Sequence, residues 1–229
     1  MCKPPGKVGK YNDKGGVEME WPEGLVNDAK KKMEPFDVEG FVLGKGDEQG
    51  SVMVVGEAPG ENEANKGEPF IGRAGDELNK QLKYMGLSRE ELYITSVVRS
   101  RPYKWVKTNK KGTGGMRKAN RKPNKKEIFA HAELLDYQIE QMDPEIIIAL
   151  GGVAYERLTG DKRKMSDVLG DLIRTPVQVK EGDGYGKTEK EYAIIPLYHP
   201  AAIFYNPGIK DHIYESLDQV RVYLKKELN

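Results

Sequence analysis

Apolar residues in this chain fall into two patterns that take turns: short unbroken runs, and longer stripes at helical spacing. Val52-Met53-Val54-Val55 is a run of the first kind and predicts a buried strand. Leu78, Leu82 and Met85 then recur at helical spacing, with Gly86 as a C-terminal stop. Ser88-Arg89-Glu90-Glu91 has capping-box spacing for one helical turn, and the β-rich Leu92–Val98 predicts a second strand. Asn124 and Glu127 stand at the same spacing ahead of Ile128, Ala132, Leu135, Ile139 and Met142, a stripe that predicts one long amphipathic helix. Glu145–Leu150 is a continuous apolar run between Pro144 and Gly151, which suits a central parallel strand buried on both faces. Gly152–Thr159 predicts a short helix stopped by Gly160, Tyr192–Leu197 a fourth strand, and Ile213, Leu217, Val220 and Leu224 a C-terminal helix. A further short helix is expected between Pro22 and Met33. The alternation of strand and helix predicts an α/β fold, a parallel sheet covered by helices on both faces, in a single domain spanning residues 1–229. Residues 1–20, rich in Gly, Lys and Pro and without periodicity, are expected to form a flexible arm.

In such a sheet ligands bind beyond the carboxyl ends of the strands. Three segments leave those ends with unusual content. The first, residues 56–75, reads GEAPGENEANKGEPFIGRAG. A connector needs turn residues; it does not need Glu57, Glu61, Glu63 and Phe70 among them. The spacing matches neither phosphate-cradling glycine motif. The third, residues 198–208, places His199-Pro200 directly after a strand, where the fixed φ of Pro200 holds the histidine at the exit, and the small Ala201 and Ala202 leave the backbone approachable by an anion. A histidine that donates and glutamates that accept or orient water make an acid–base set. Glu61 and Glu63 equally suit the start of a helix, and Phe70 equally suits ordinary core or a stacking plate for a planar ring.

The middle segment, 96–123, runs into a stretch in which charge changes the picture. Net charge over the chain is +1, yet residues 104–126 hold ten lysines and arginines and no acid. With Gly112, Gly114 and Gly115 in its middle, this stretch predicts a mobile basic loop that binds phosphates, Lys118, Arg121 and Lys122 among its contacts; a solvated charged face is the alternative. No apolar stretch approaches the ~18 residues of a membrane span, and the first residues lack the apolar segment of a signal peptide. One cysteine, Cys2, leaves no internal disulfide and no cysteine-rich metal site within the chain. A soluble cytoplasmic protein, with no membrane partner and acting as a monomer, is expected.

Four segments in this order, VVGEAPGENEANKGEPFIGRAG, YITSVVRSRP, DPEIIIALG and LYHPAAIFYNP, resemble the uracil-DNA glycosylase superfamily over roughly residues 40–226, and within it the family-four enzymes, which carry a 4Fe–4S cluster. The resemblance implies a three-layer α/β/α sandwich with a four-stranded parallel central sheet. It implies DNA as partner and hydrolysis of the bond between deoxyribose and uracil or another deaminated base, in base-excision repair. Residue by residue, it implies a base pocket at Gly56, Ala58, Pro59 and Gly60, with Phe70 stacking on the base. Catalysis would fall to Glu57, Glu63 and His199, and DNA contacts to Pro200, Ala201 and Ala202. Two departures from the family's pattern matter. Ser96 stands where family four has the asparagine that reads the amide edge of uracil, and a hydroxyl cannot present a paired donor and acceptor. Ser100 and His131 stand at cluster positions, so no iron–sulfur cluster, and no other cofactor or metal, is expected. Two further readings stay open: a catalytically weak nucleic-acid-binding module on the same fold, and a small-molecule hydrolase on an open α/β sheet.

Overall fold

The computed structural model describes residues 19–108 and 115–228. The proposed arm and the middle of the basic stretch therefore lie, wholly or almost wholly, outside the described residues. In chain order the strands are β1 (Val38–Glu39), β2 (Lys45–Gly46), β3 (Val52–Gly56), β4 (Leu92–Ser96), β5 (Arg101–Lys107), β6 (Met116–Asn120), β7 (Ile146–Leu150), β8 (Ile173–Glu181) and β9 (Gly184–Leu197). The α-helices are α1 (Leu25–Met33), α2 (Glu61–Lys66), α3 (Arg73–Met85), α4 (Lys125–Ala130), α5 (Ala132–Met142), α6 (Gly152–Thr159), α7 (Ala202–Tyr205) and α8 (Lys210–Glu227).

The central sheet has the order β2-β4-β3-β7-β9-β8. Its four middle strands, β4, β3, β7 and β9, pair in parallel, and the short β2 and the long β8 close the two edges antiparallel. The four parallel strands are those the apolar runs predict; the antiparallel edges are not among them. Strand alternation sorts the core into two clusters. Val52, Val54, Ile146, Ile148, Leu150, Ala193, Ile195 and Leu197 pack with Leu78, Leu82 and Met85 of α3 and with Ile213, Leu217, Val220 and Leu224 of α8. Met53, Val55, Ile147, Ala149 and Ile194 pack with Leu135 and Ile139 of α5 and Val153 and Leu158 of α6. No helix among the described residues is long and apolar enough to cross a membrane.

Two local expectations are corrected. The stripe from Ile128 to Met142 is two helices, because the chain leaves helical geometry at His131 (φ −101°, ψ 2°) between α4 and α5. The basic stretch is not a loop throughout. Its flanks form an antiparallel ribbon, with Tyr103 opposite Asn120, Trp105 opposite Lys118 and Lys107 opposite Met116, and β1 pairs with β5 on the other side. Trp105, Val106 and Tyr103 are good strand formers, and pairing them removes the backbone groups from competition with water.

Candidate active site at the carboxyl edge of the sheet

The parallel register aligns the strand ends. Gly56, the last residue of β3, is the lateral partner of Ser96, the last of β4; Leu150 of β7 is the partner of Leu197 of β9, two residues before His199. Gly56 is glycine for a steric reason. A Cβ there would meet the Phe70 ring at 2.6–2.7 Å, so the ring lies directly on the strand end. The Phe70 ring centroid lies 5.6 Å from that of His199, with a 32° tilt. Gly151, at φ 91° after β7, leaves room on its other side, where a Cβ would stand 3.3 Å from the Cβ of His199. Ser96, Gly56, Phe70 and His199 thus form one contiguous patch, although they span more than a hundred positions of sequence.

The loop that carries Phe70 is clamped. Glu63, buried on α2, accepts from the backbone N–H groups of Ile71 (2.9 Å) and Gly72 (3.0 Å) through Oε1. Its Oε2 faces Gly60, where a Cβ would stand 2.7 Å away. From the other side Arg89 donates to the carbonyls of Phe70 (3.0 Å) and Pro69. Between these ties Phe70 holds φ at 51°, a left-handed conformation that a bulky residue adopts only when its surroundings impose it.

His199 has a defined tautomer. The N–H of Ala201 donates to its Nδ1 (3.2 Å), so the ring proton resides on Nε2. Burial holds the ring neutral by pushing its pKa down to about 4, against a smaller opposing pull from Glu63. A neutral imidazole with Nε2–H is a hydrogen-bond donor, not a proton store. The Ala202 N–H donates to the His199 carbonyl (2.8 Å), so both alanine amides are engaged within the turn, and Pro200 is buried. What this segment offers a ligand is close approach and the exposed ring of Tyr205, 88% exposed.

Ser96 is buried and donates its hydroxyl proton to the carbonyl of Val98 (2.8 Å), which leaves its oxygen to act as an acceptor. Glu57 is half-buried, its pKa raised by desolvation and moderated by the charge of Lys122. Ala58 packs on the α5 side of the core, and Pro59 is buried beside it. Lys118 is paired with Glu39, and Arg121 with Glu127, the buried acid that closes the capping box of α4. Among the residues first singled out as DNA contacts, Lys122 keeps an exposed side chain facing the site through Glu57. Sequence reasoning passed over Arg89 and Gly151; a glycine directly after an apolar strand was the one available signal for the second.

An iron–sulfur cluster needs thiolates, and the residues present do not fit one. Ser100 and His131 are both buried. The His131 Nδ1 lies 3.1 Å from the Glu127 carbonyl and therefore carries the proton; the ring tilts against Phe41 at 5.8 Å, and its Nε2 has no partner. Among the described residues no group of three or more His, Cys, Asp or Glu side chains is arranged to hold a metal ion.

With this geometry in hand, comparison with known proteins is direct. The family model described as "Uracil DNA glycosylase superfamily" matches residues 43–221. A type-4 uracil-DNA glycosylase of Sulfurisphaera tokodaii is 34% identical over 183 residues, 79% of this chain and 73% of its own length. One from Archaeoglobus fulgidus is 34% identical over 77% of each chain, and one from Saccharolobus solfataricus 34% identical over 81% of this chain and 77% of its own. The match runs through all four strand ends and the loops that leave them, and the chain belongs to the uracil DNA glycosylase superfamily.

Proposed function

We propose that this protein is a DNA glycosylase that hydrolyses the N-glycosidic bond of uracil, and of deaminated bases with a like edge, in DNA. The observation that carries the reading is the neutral His199 with its Nε2–H fixed by the Ala201 amide, set beside Phe70 on the floor formed by Gly56. Similarity to type-4 uracil-DNA glycosylases supports uracil as the substrate base.

A base drawn out of the stack reaches this edge and lies on the Phe70 ring. As the C1′–N bond breaks, the electron pair stays on the base and the sugar becomes cationic. His199 donates a hydrogen bond from Nε2 to the base oxygen where negative charge collects, and keeps its proton. Being neutral beforehand, it stabilises the anion without trapping the ground state. The Glu57 carbonyl accepts from the Val98 N–H (3.0 Å), but its carboxylate has no hydrogen-bond partner among the described residues, which leaves it free to face the sugar cation and take a proton from the attacking water. Water oxygen adds to C1′, Glu57 releases the proton it took to solvent and the base anion takes one up, and the products are the free base and an abasic deoxyribose. Glu63 serves as a positioning residue, since one of its oxygens already holds the Phe70 loop. Ser96 accepts from the imide N–H of the base. The reading also takes the chain as one domain, acting as a cytoplasmic monomer in base-excision repair, with Ala201, Ala202, Lys122 and the basic segment against the DNA strand.

The test is cleavage of oligonucleotides carrying a single uracil, hypoxanthine or xanthine, single- and double-stranded, followed by alkali. Strand scission at uracil, lost in His199→Ala, is the expected result. If no deaminated base is released, the protein is a binding module on this fold.

A further inference from the structure

The β5–β6 ribbon has a face that the reaction above does not use. Residues opposite one another across a ladder share a face, so Tyr103, Trp105 and Lys107 of β5 lie on the same side as Asn120, Lys118 and Met116 of β6. On that side Trp105 is 53% exposed and Met116, its diagonal neighbour, 55%. Two large apolar side chains held in water on a highly charged ribbon serve neither the core nor solubility. Their setting is cationic. On this face Lys107 is exposed and has no ion pair among the described residues, while Lys118 lies over the Tyr103 ring at 4.3 Å and near Trp105 at 5.8 Å; Lys104 and Arg117, exposed as well, belong to the opposite face with Val106 and Ala119. Tyr103 props the edge of Trp105 at 6.0 Å and 83°.

The ribbon is tied to the site. At its base Arg101 is buried, donates to Glu39 and to Glu61 (3.2 Å) at the start of α2, and holds the Asn120 oxygen through Nε (2.7 Å). The Asn120 amide nitrogen lies 3.5 Å from where a Cβ of Gly60 would stand. The face bearing Trp105 therefore continues from the mouth of the base pocket.

We propose that this face is a stacking site for an unpaired nucleotide next to the one that enters the pocket, with Trp105 as the plate, Met116 extending it, and Lys107 holding a flanking phosphate. The proposal rests on the glycosylase reading for what the neighbouring pocket does, and it adds single-stranded DNA as the favoured form of substrate. A protein partner would need complementary acidic and apolar groups; a single strand supplies both a row of phosphates and free ring faces. In a duplex those ring faces are already covered by the bases above and below, so Trp105 discriminates by strand state and not by sequence.

The experiment uses the full chain and a labelled twelve-residue oligothymidylate, which contains no target base, with a duplex of equal length beside it at fixed salt. Trp105→Ala should weaken binding of the single strand on the order of 10-fold, Trp105→Phe should recover most of the loss, and duplex binding should change little. The chain has two tryptophans, Trp21 and Trp105. In a Trp21→Phe background the remaining fluorescence should be quenched by oligothymidylate. Unchanged single-strand binding in Trp105→Ala, equal losses on both strand forms, or absence of quenching would overturn the proposal, equal losses pointing to a phosphate-only surface. Because the probe is never cleaved, these outcomes are independent of the cleavage assay: a stacking site with no glycosylase activity, and the reverse, are distinct results.

Discussion

Two histidines in this molecule share an acid–base character and differ in everything that matters for use. Burial pushes both His199 and His131 down to about 4. His199 receives a backbone N–H at Nδ1 and so presents Nε2–H outward, beside Phe70. His131 gives its Nδ1–H to the Glu127 carbonyl in the break between α4 and α5 and points an unpartnered Nε2 into the interior, against Phe41. One backbone hydrogen bond decides which ring can stabilise an anion and which can only fill space. A lowered pKa alone would not have separated them.

The sharpest way to break the contrast is to delete each ring. His199→Ala should reduce the single-turnover rate on a uracil substrate on the order of 10²-fold or more, with little change in stability, as loss of a transition-state donor does. His131→Ala should reverse the pattern, costing about 3 kcal/mol in denaturant unfolding while the folded fraction keeps its rate within a few-fold. Equal rates for His199→Ala and the unmodified protein would remove His199 from the chemistry.

Next in size is the floor on which the site rests. Gly56→Ala puts a methyl 2.6–2.7 Å from the Phe70 ring, so the plate must shift. About a 10-fold loss in kcat/KM is expected, since small misplacements near the reacting atoms are costly. Circular dichroism should stay native. A full-rate variant would mean that Phe70 does not meet the base.

Acid titration sharpens the comparison further. Between pH 6.5 and about 4 the unfolded chain protonates both histidines while the native state resists, so stability falls as pH drops through that window, by about 3 kcal/mol per ring at its lower end. In His131→Phe one of the two contributions is gone, and the slope of unfolding free energy against pH should be roughly halved. An unchanged slope would place the titration elsewhere. Activity has its own acid limb. In the mechanism proposed above Glu57 works as the carboxylate, and burial raises its pKa, so the rate should fall with decreasing pH above the ordinary carboxylate range, a limb that Glu57→Gln should abolish along with most of the rate.

The smallest expected effect is one of selectivity. Ser96→Asn restores a paired donor and acceptor at the base edge and should raise the ratio of uracil to hypoxanthine cleavage a few-fold, measured in competition. No change in the ratio would mean that the backbone reads the base.

How legible all this was in the sequence depended on the range of the interactions. The four parallel strands announce themselves because Val52–Val55 and Ile146–Leu150 are buried on both faces and have no polar alternation to confuse with a helix. The ribbon reads as a loop in the sequence because its lysines mask the strand formers Tyr103, Trp105 and Val106, and because pairing partners 9 to 17 residues away leave no local trace. The antiparallel β8–β9 pair was missed for the same reason: Lys180, Glu181, Lys187, Glu189 and Lys190 give it the composition of a connector. At the site, topology alone predicted that Glu63, Phe70, Ser96 and His199 gather at one edge. It could not show that two backbone amides engage the Glu63 carboxylate, nor fix the proton on His199, which one amide does.

The clamp on residues 69–72 has a consequence for the thermodynamics of binding. Arg89 holds two carbonyls and Glu63 two amides, so the Phe70 backbone is immobilised when the chain folds, before any base arrives. The loss of conformational freedom belongs to folding, and docking a planar ring then requires little further ordering. Loosening the clamp, as in Arg89→Met, moves that entropy loss into the encounter: the enzyme would bind its substrate more weakly, with a more negative binding entropy, while the bound complex turns over at nearly its former rate.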